Sequence, residues 1–201
     1  DELTAPLHTR QRNLEGGSSE DPLWGHLWTF TAFATVSKLL LAFKHGKRTQ
    51  DVTDAFLWDV RSRLTVQPEI VSDGLACYEA GVARSFGLAC EYAQLVKTPS
   101  KKGKVSVIPF IRKKRVVGAP DMDRVSTSYV ERMNSTIRDQ TKRFARRSRC
   151  HSKKLENHEA QFALFACWYN LVRIHSTLNT TPACAAGISE PWTLAQLIEE
   201  A

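Results

Sequence analysis

Residues 127–154 read TSYVERMNSTIRDQTKRFARRSRCHSKK, and their spacing predicts one helix over the whole stretch. Val130, Met133, Ile137 and Phe144 recur at helical intervals and make a single apolar stripe. Glu131, Asn134, Arg138 and Lys142 form a second stripe offset by one residue, about 100° round the axis. One carboxylate therefore heads a face that becomes steadily more cationic. Packing alone does not demand that order, so Glu131 is the first residue to weigh as chemistry.

The charge balance of the rest of the chain sharpens this. Residues 101–154 hold 17 Lys/Arg against four Asp/Glu, a local net of +13, and the remainder holds 11 against 17, a net of −6. A near-neutral to acidic body with one basic segment points to a polyanion, and nucleic acid comes first. With 201 residues, 42% apolar, there is enough chain for one domain with a buried core. Cys77, Cys90, Cys150, Cys167 and Cys184 are odd in number and show no C-x-x-C spacing, which argues against a disulfide framework or a zinc site and for a reducing compartment. The apolar run at residues 39–43 is far too short to span a membrane, and so is the longest one, residues 162–169. The chain opens on Asp1 and not on methionine, so the expectation is a fragment whose upstream part is missing.

Along the chain, Pro6 limits any opening strand to a sheet edge or a few residues. Residues 27–33 and 38–43 alternate as the two strands of a hairpin. Residues 50–64 carry an amphipathic helical pattern, 68–72 a short strand ending at Asp73-Gly74, 75–86 a second helix closed by Gly87, and 92–96 a further strand. Residues 98–125 have little helical periodicity and a cationic run, Arg112-Lys113-Lys114-Arg115, and are expected to be a basic loop or insertion that orders on a ligand. An apolar helix over 156–172 and a terminal helix over 192–198 follow. The order of elements predicts an α/β fold, a mixed sheet flanked by helices.

Asp73 stands where a buried strand gives way to a helix, the usual place for ligand groups in open α/β sheets, although an aspartate before glycine is also an ordinary turn. Three carboxylates on three separated elements, Asp1, Asp73 and Glu131, make a set that suits a hard divalent cation. Two such ions about 3.5–4 Å apart can hold both the attacking and the leaving oxygen of a phosphodiester. The histidines His151, His158 and His175 and the five tryptophans read as structural.

An ordered set of short motifs now becomes telling: Asp1-Glu2-Leu3; Gly25-His26-Leu27-Trp28-Thr29-Phe30-Thr31-Ala32; Ser72-Asp73-Gly74; Tyr92-Ala93-Gln94-Leu95-Val96-Lys97; Ser126 to Asn134; and Tyr169-Asn170 through Thr181-Pro182-Ala183. Together they resemble the DDE transposases of the IS-one type of insertion sequence over nearly the whole chain. The resemblance implies a ribonuclease-H-like catalytic domain over 1–201, with the basic insertion before the helix that carries Glu131 and without an upstream DNA-binding module. It makes Asp1, Asp73 and Glu131 the catalytic and metal-binding acids for two Mg²⁺ (or Mn²⁺) ions. The chemistry implied is cleavage at transposon ends followed by attack of the freed 3′-hydroxyl on target DNA. Asn134, Arg138, Lys142, Arg143, Arg146, Arg147, Lys153 and Lys154 are the residues expected on double-stranded DNA, in a homo-oligomer working on the nucleoid of the bacterial cytoplasm, away from membranes. Thr4-Ala5-Pro6 in the strand that follows Asp1, and His26 and Ala34 where relatives often have aspartate, leave open an alternative: a catalytically inactive, transposase-derived DNA-binding domain.

Overall fold

The computed structural model describes residues 1–14, 21–102, 105–145 and 149–200. It is an α/β structure whose strands form two three-stranded sheets flanked by helices. The sequence suggested one mixed sheet. Hydrogen bonding instead gives two sheets, and the chain divides into two compact units: Asp1 with Arg48–Glu131, and Glu2–Lys47 with Arg132–Ala201.

In the second unit the sheet is antiparallel, ordered β1 (Glu2–Leu7), β2 (Gly25–Phe33), β3 (Leu40–Gly46). β1 runs through Pro6, which it tolerates because β1 is an edge strand paired only with β2 in this sheet. The alternation of β1 buries Leu3, Ala5 and Leu7 and leaves their neighbours partly exposed. Leu3, Ala5 and Leu40 pack with Met133, Ile137, Phe144, Phe162, Phe165 and Tyr169 in one core. Phe162 is fully buried and ring-packed against Phe43, Phe144 and His45, so truncating it to alanine costs about 3–5 kcal/mol. Past α4 (Leu155–Cys167) a π turn, Trp168–Val172, holds Asn170, whose amide accepts from the Leu40 N–H (3.0 Å) and donates to the Leu40 carbonyl (2.9 Å). That two-point bond satisfies the start of β3.

The first unit is built on a mixed sheet in which β4 (Glu69–Asp73) pairs parallel with β5 (Glu91–Lys102), and β5 pairs antiparallel with β6 (Val105–Val117). α1 (Gln50–Ser62) and α2 (Ala76–Phe86) lie close together at Gly81, where an added Cβ would sit 2.6 Å from Leu57 Cδ1. Arg84 and Asp54 tie the same pair of helices, N–O 2.8 Å. The basic loop expected over 98–125 is for the most part strand. Its low helical periodicity goes with a paired strand, in which Val, Ile and Phe flank the run from Arg112 to Arg115. Pro99 and Pro109 fall where the β5–β6 register shifts, the position in a ribbon where a missing N–H is tolerated.

The helix expected over 127–154 is also corrected. α3 runs only over Ser128–Gln140, Thr141 turns to extended backbone (φ −127°, ψ 100°), and Lys142–Phe144 make a single 3₁₀ turn. Leaving the helix here buries Phe144 against the rings of His158 and Phe162 (centroids 4.5 and 5.3 Å). The short helices α5 (Pro182–Ala185) and α6 (Leu194–Glu199) complete the unit, α6 with a full Thr193/Gln196 capping box.

Two histidines of this core titrate far from their ordinary range. His45 is bonded through Nδ1 to Thr29 (2.8 Å) and His158 through Nδ1 to Ser152 (3.0 Å), with the rings 4.8 Å apart. Burial, with the charge of His158 and Lys44 nearby, pushes His45 from 6.5 to about 3. Burial and Arg143 push His158 to about 4. Both folded values lie below the unfolded one, so the unfolded chain takes up these protons first; stability is full above about pH 6.5 and drains as pH falls towards 4. At pH 5 each neutral histidine costs about 2 kcal/mol. Urea unfolding is therefore expected to show a midpoint lower by about 1 M or more at pH 5 than at pH 7, with the difference reduced in His45→Gln; equal midpoints for the wild type would contradict this.

Candidate functional site

The first unit contains a cleft of about 440 Å³ lined by Asp1, Arg48, Asp73, Gly74, Leu75, Lys97, Thr127 and Glu131, among others. Each acid arrives from a different part of the chain. Asp1 immediately precedes β1. Asp73 is the last residue of β4, and the turn that follows is tight: Asp73 Oδ1 accepts from the Leu75 N–H at 3.1 Å, and a Cβ on Gly74 would meet Val96 at 3.2 Å. Glycine thus lets the turn lie against β5 and leaves Asp73 at the cleft. Glu131 sits in the first turn of α3, where its N–H bonds to the Thr127 carbonyl at 3.0 Å and the helix dipole favours an acid.

Asp1 and Asp73 each offer a carboxylate oxygen within 4.8 Å of the other, whereas Glu131 does not draw within that distance of both. Glu131 is engaged elsewhere. Its Oε1 accepts from Lys97 Nζ and from Thr127 Oγ1, the latter at 2.7 Å. Burial opposes ionisation of Glu131, but the hydrogen bonds from Lys97 and Thr127 and the lysine charge outweigh it, and its pKa falls below the ordinary glutamate value. Arg48 stands 3.6 Å from Asp73 Oδ2. The cleft therefore brings three carboxylates together with two cations.

These residues fit a hard divalent ion. The donors are all carboxylate oxygens, the Asp1–Asp73 pair is close enough to share one ion, and the protein's own cations already stand where positive charge is wanted. Because Lys97 and Thr127 both hold Glu131 Oε1, bringing that oxygen into the same coordination shell would open the Lys97 pair.

The residues expected on DNA are scattered. Asn134 is 4% exposed, beside Met133 and Ile137 on the buried side of α3, so its side chain has no access to a phosphate in this conformation. Arg138 shares α3 and is partly buried. Lys142 and Arg143 lie on the 3₁₀ turn and not on the helix, so the continuous cationic face expected from the sequence ends with Arg138. Arg143 donates to Ser152 Oγ at 3.4 Å, and Lys153 Nζ to the His8 carbonyl at 2.8 Å. Lys154 caps α4. Arg146 and Arg147 lie outside the described residues.

Arg48 and Lys97 were missed as site residues in the sequence. Lys97 carried a signal: it is two positions beyond the buried Leu95, on a strand whose parallel neighbour ends in Asp73, and so shares that acid's face. Arg48, in the connection before α1, carried none. Among the described residues no helix is long and apolar enough to cross a membrane. Comparison with protein-family models, with characterised proteins and with solved structures finds no match to this chain.

Because Lys97 competes for Glu131, Lys97→Met is expected to bind Mn²⁺ about three- to tenfold more tightly than wild type in calorimetric titration without DNA. Unchanged affinity would mean that Glu131 does not take part in holding the ion.

Proposed function

We propose that this chain is the catalytic domain of a DDE transposase, a divalent-metal-dependent enzyme that cuts DNA at transposon ends and transfers the freed 3′-hydroxyl to target DNA. One observation carries the reading: acids from the chain start, a strand end and a helix's first turn, the three positions the motif resemblance picks out, line a single cleft. The finer fold belongs to the same proposal. An acid just before β1, a second at the end of a parallel-paired strand and a third on a later helix follow the ribonuclease-H-like plan.

When bound, two Mg²⁺ or Mn²⁺ ions supply Lewis acidity at the phosphorus and lower the pKa of the attacking water. The chain's own residues do the rest. Asp1 and Asp73 would hold one ion between them, and Glu131 would complete the set once it parts from Lys97. Released, Lys97 is placed to meet a non-bridging phosphate oxygen, and Arg48 offers a second cation from the side of Asp73. Water first and the 3′-hydroxyl second are the nucleophiles, so no side chain forms a covalent intermediate. Double-stranded DNA, as transposon ends and as target, is the proposed partner, and two ends to be joined imply a homo-oligomer on the bacterial nucleoid.

A second reading, a catalytically inactive transposase-derived DNA-binding domain, is favoured by the way protein cations and a turn already satisfy Asp73 and Glu131.

Strand transfer of a precut transposon end separates the two. Under the first reading, product forms with Mg²⁺ or Mn²⁺ and falls at least about a hundredfold in Asp73→Ala and in Glu131→Ala. Activity that survives both substitutions would remove the three acids from the mechanism, and absence of product in a protein that still binds DNA would favour the second reading.

A further inference from the structure

The second unit gathers cations that the cleft does not use, around the π turn that follows α4. The two bonds of Asn170 to Leu40 fix that turn to the start of β3, and so to the connection from β2, which the Ala34 N–H closes on the Leu39 carbonyl at 2.9 Å. Lys38 stands in this connection with left-handed backbone (φ 59°), and its Nζ donates to the Thr35 carbonyl at 2.5 Å. After the turn, Arg173 donates its N–H to the Trp168 carbonyl (2.9 Å) and places its guanidinium over the Trp168 and Tyr169 rings, 5.6 Å from each centroid. The rings hold the guanidinium without neutralising it. His175 is fixed by backbone and ring alike: its N–H donates to the Thr180 carbonyl (2.9 Å), and its Nδ1 accepts from the Thr177 N–H (3.3 Å). The neutral ring therefore carries its proton on Nε2, which has no hydrogen-bond partner among the described residues.

Arg132, exposed on α3 next to the buried Met133, completes the group. Burial lowers the pKa of His175, and the charges of Arg173, Lys38 and Arg132 lower it further, so the charges that bear most on this ring are all positive. Among the described residues no carboxylate lies within 4 Å of Arg132 or Arg173. Solvation alone would let like charges swing apart. A fold that braces Arg173 on two rings and Lys38 on a carbonyl keeps them together, at a cost that a bound anion offsets. A guanidinium fork, an ammonium and an imidazole N–H suit a phosphate group. Trp168 and Tyr169 are not open to stack a base, because Phe165 packs on both (centroids 6.1 and 5.9 Å) and Arg173 covers them. The group thus fits the backbone of a duplex better than the splayed bases of a single strand.

We propose that Lys38, Arg132, Arg173 and His175 form a phosphate-binding site on the second unit, which takes the backbone of duplex DNA and holds it without reading its sequence. The inference rests on the DNA-processing reading above and adds to it a contact made by residues that do not line the cleft.

Fluorescence anisotropy of the full chain with a duplex of about 30 base pairs, in EDTA and over about 50–300 mM KCl, tests the site apart from the metal chemistry. R132Q/R173Q is expected to weaken binding about tenfold or more at about 100 mM KCl and to lower the slope of log K against log salt by about 2. R132K/R173K keeps the slope, and R61Q/R63Q on α1 changes neither quantity. If R132Q/R173Q lowers the thermal midpoint, R132Q alone, at an exposed position, carries the test with a slope lower by about 1. In the wild type, the ring signals of His175 in a proton–nitrogen correlation spectrum, assigned by their loss in H175Q, are expected to move on saturation with the duplex. A wild-type slope in both glutamine variants, an equal loss in R61Q/R63Q, or unmoved His175 signals in the DNA-bound protein would overturn the site and leave the transposase reading to strand transfer. Failure of the wild type to bind duplex DNA would overturn both.

Discussion

Carboxylates gathered into one cleft repel one another, by about 1–4 kcal/mol for a pair about 4 Å apart, depending on how much water lies between them. In the first unit that repulsion is met by Lys97 on Glu131 and Arg48 on Asp73. Much of the local structure follows from this neutralisation. β5 must carry a lysine two residues past its last contact with β4, Gly74 must let the turn after Asp73 lie against Val96, and Thr127 must precede α3 to share Glu131 with the lysine. The same pairs make the site poised and not fixed. Under the proposed function, a divalent ion and a phosphate would together supply the charges that Lys97 and Glu131 now supply to each other, and the exchange would need only a side-chain movement.

How far the sequence foretold this depends on the range of the interactions. The hairpin of β2 and β3, helices α1 and α2, and the Asp73-Gly74 turn were legible because each is set by local periodicity or by a glycine with one conformational job. The end of α3 was not. Val130, Met133, Ile137 and Phe144 fit one helical stripe, yet Phe144 reaches the core by leaving the helix, drawn by rings on α4 that no local pattern reveals. Asn134 failed for a related reason: a stripe drawn on the sequence cannot say which of two adjacent faces turns inward, and the core took Asn134 together with Met133.

The basic segment 98–125 shows the opposite error. Its cations suggested a loop, but a run of charge does not preclude a strand when β-branched residues flank it and another strand pairs with it in register. Its charges divide between the two faces of the strand, Lys113 and Arg115 on that of Asp73 and Arg112 and Lys114 on the other. The three acids come together in one cleft while the residues expected on DNA are scattered, because each acid sits at an element boundary that the sequence marks, whereas the placing of long cationic side chains depends on the folded chain.

The most direct measurement is anomalous diffraction from crystals equilibrated with Mn²⁺. The account predicts manganese in the cleft with Asp1 and Asp73 as ligands, Glu131 turned in to join them and Lys97 displaced from its present partner. Manganese bound elsewhere with the Lys97–Glu131 pair intact, or a cleft without manganese at saturating concentration, would contradict it.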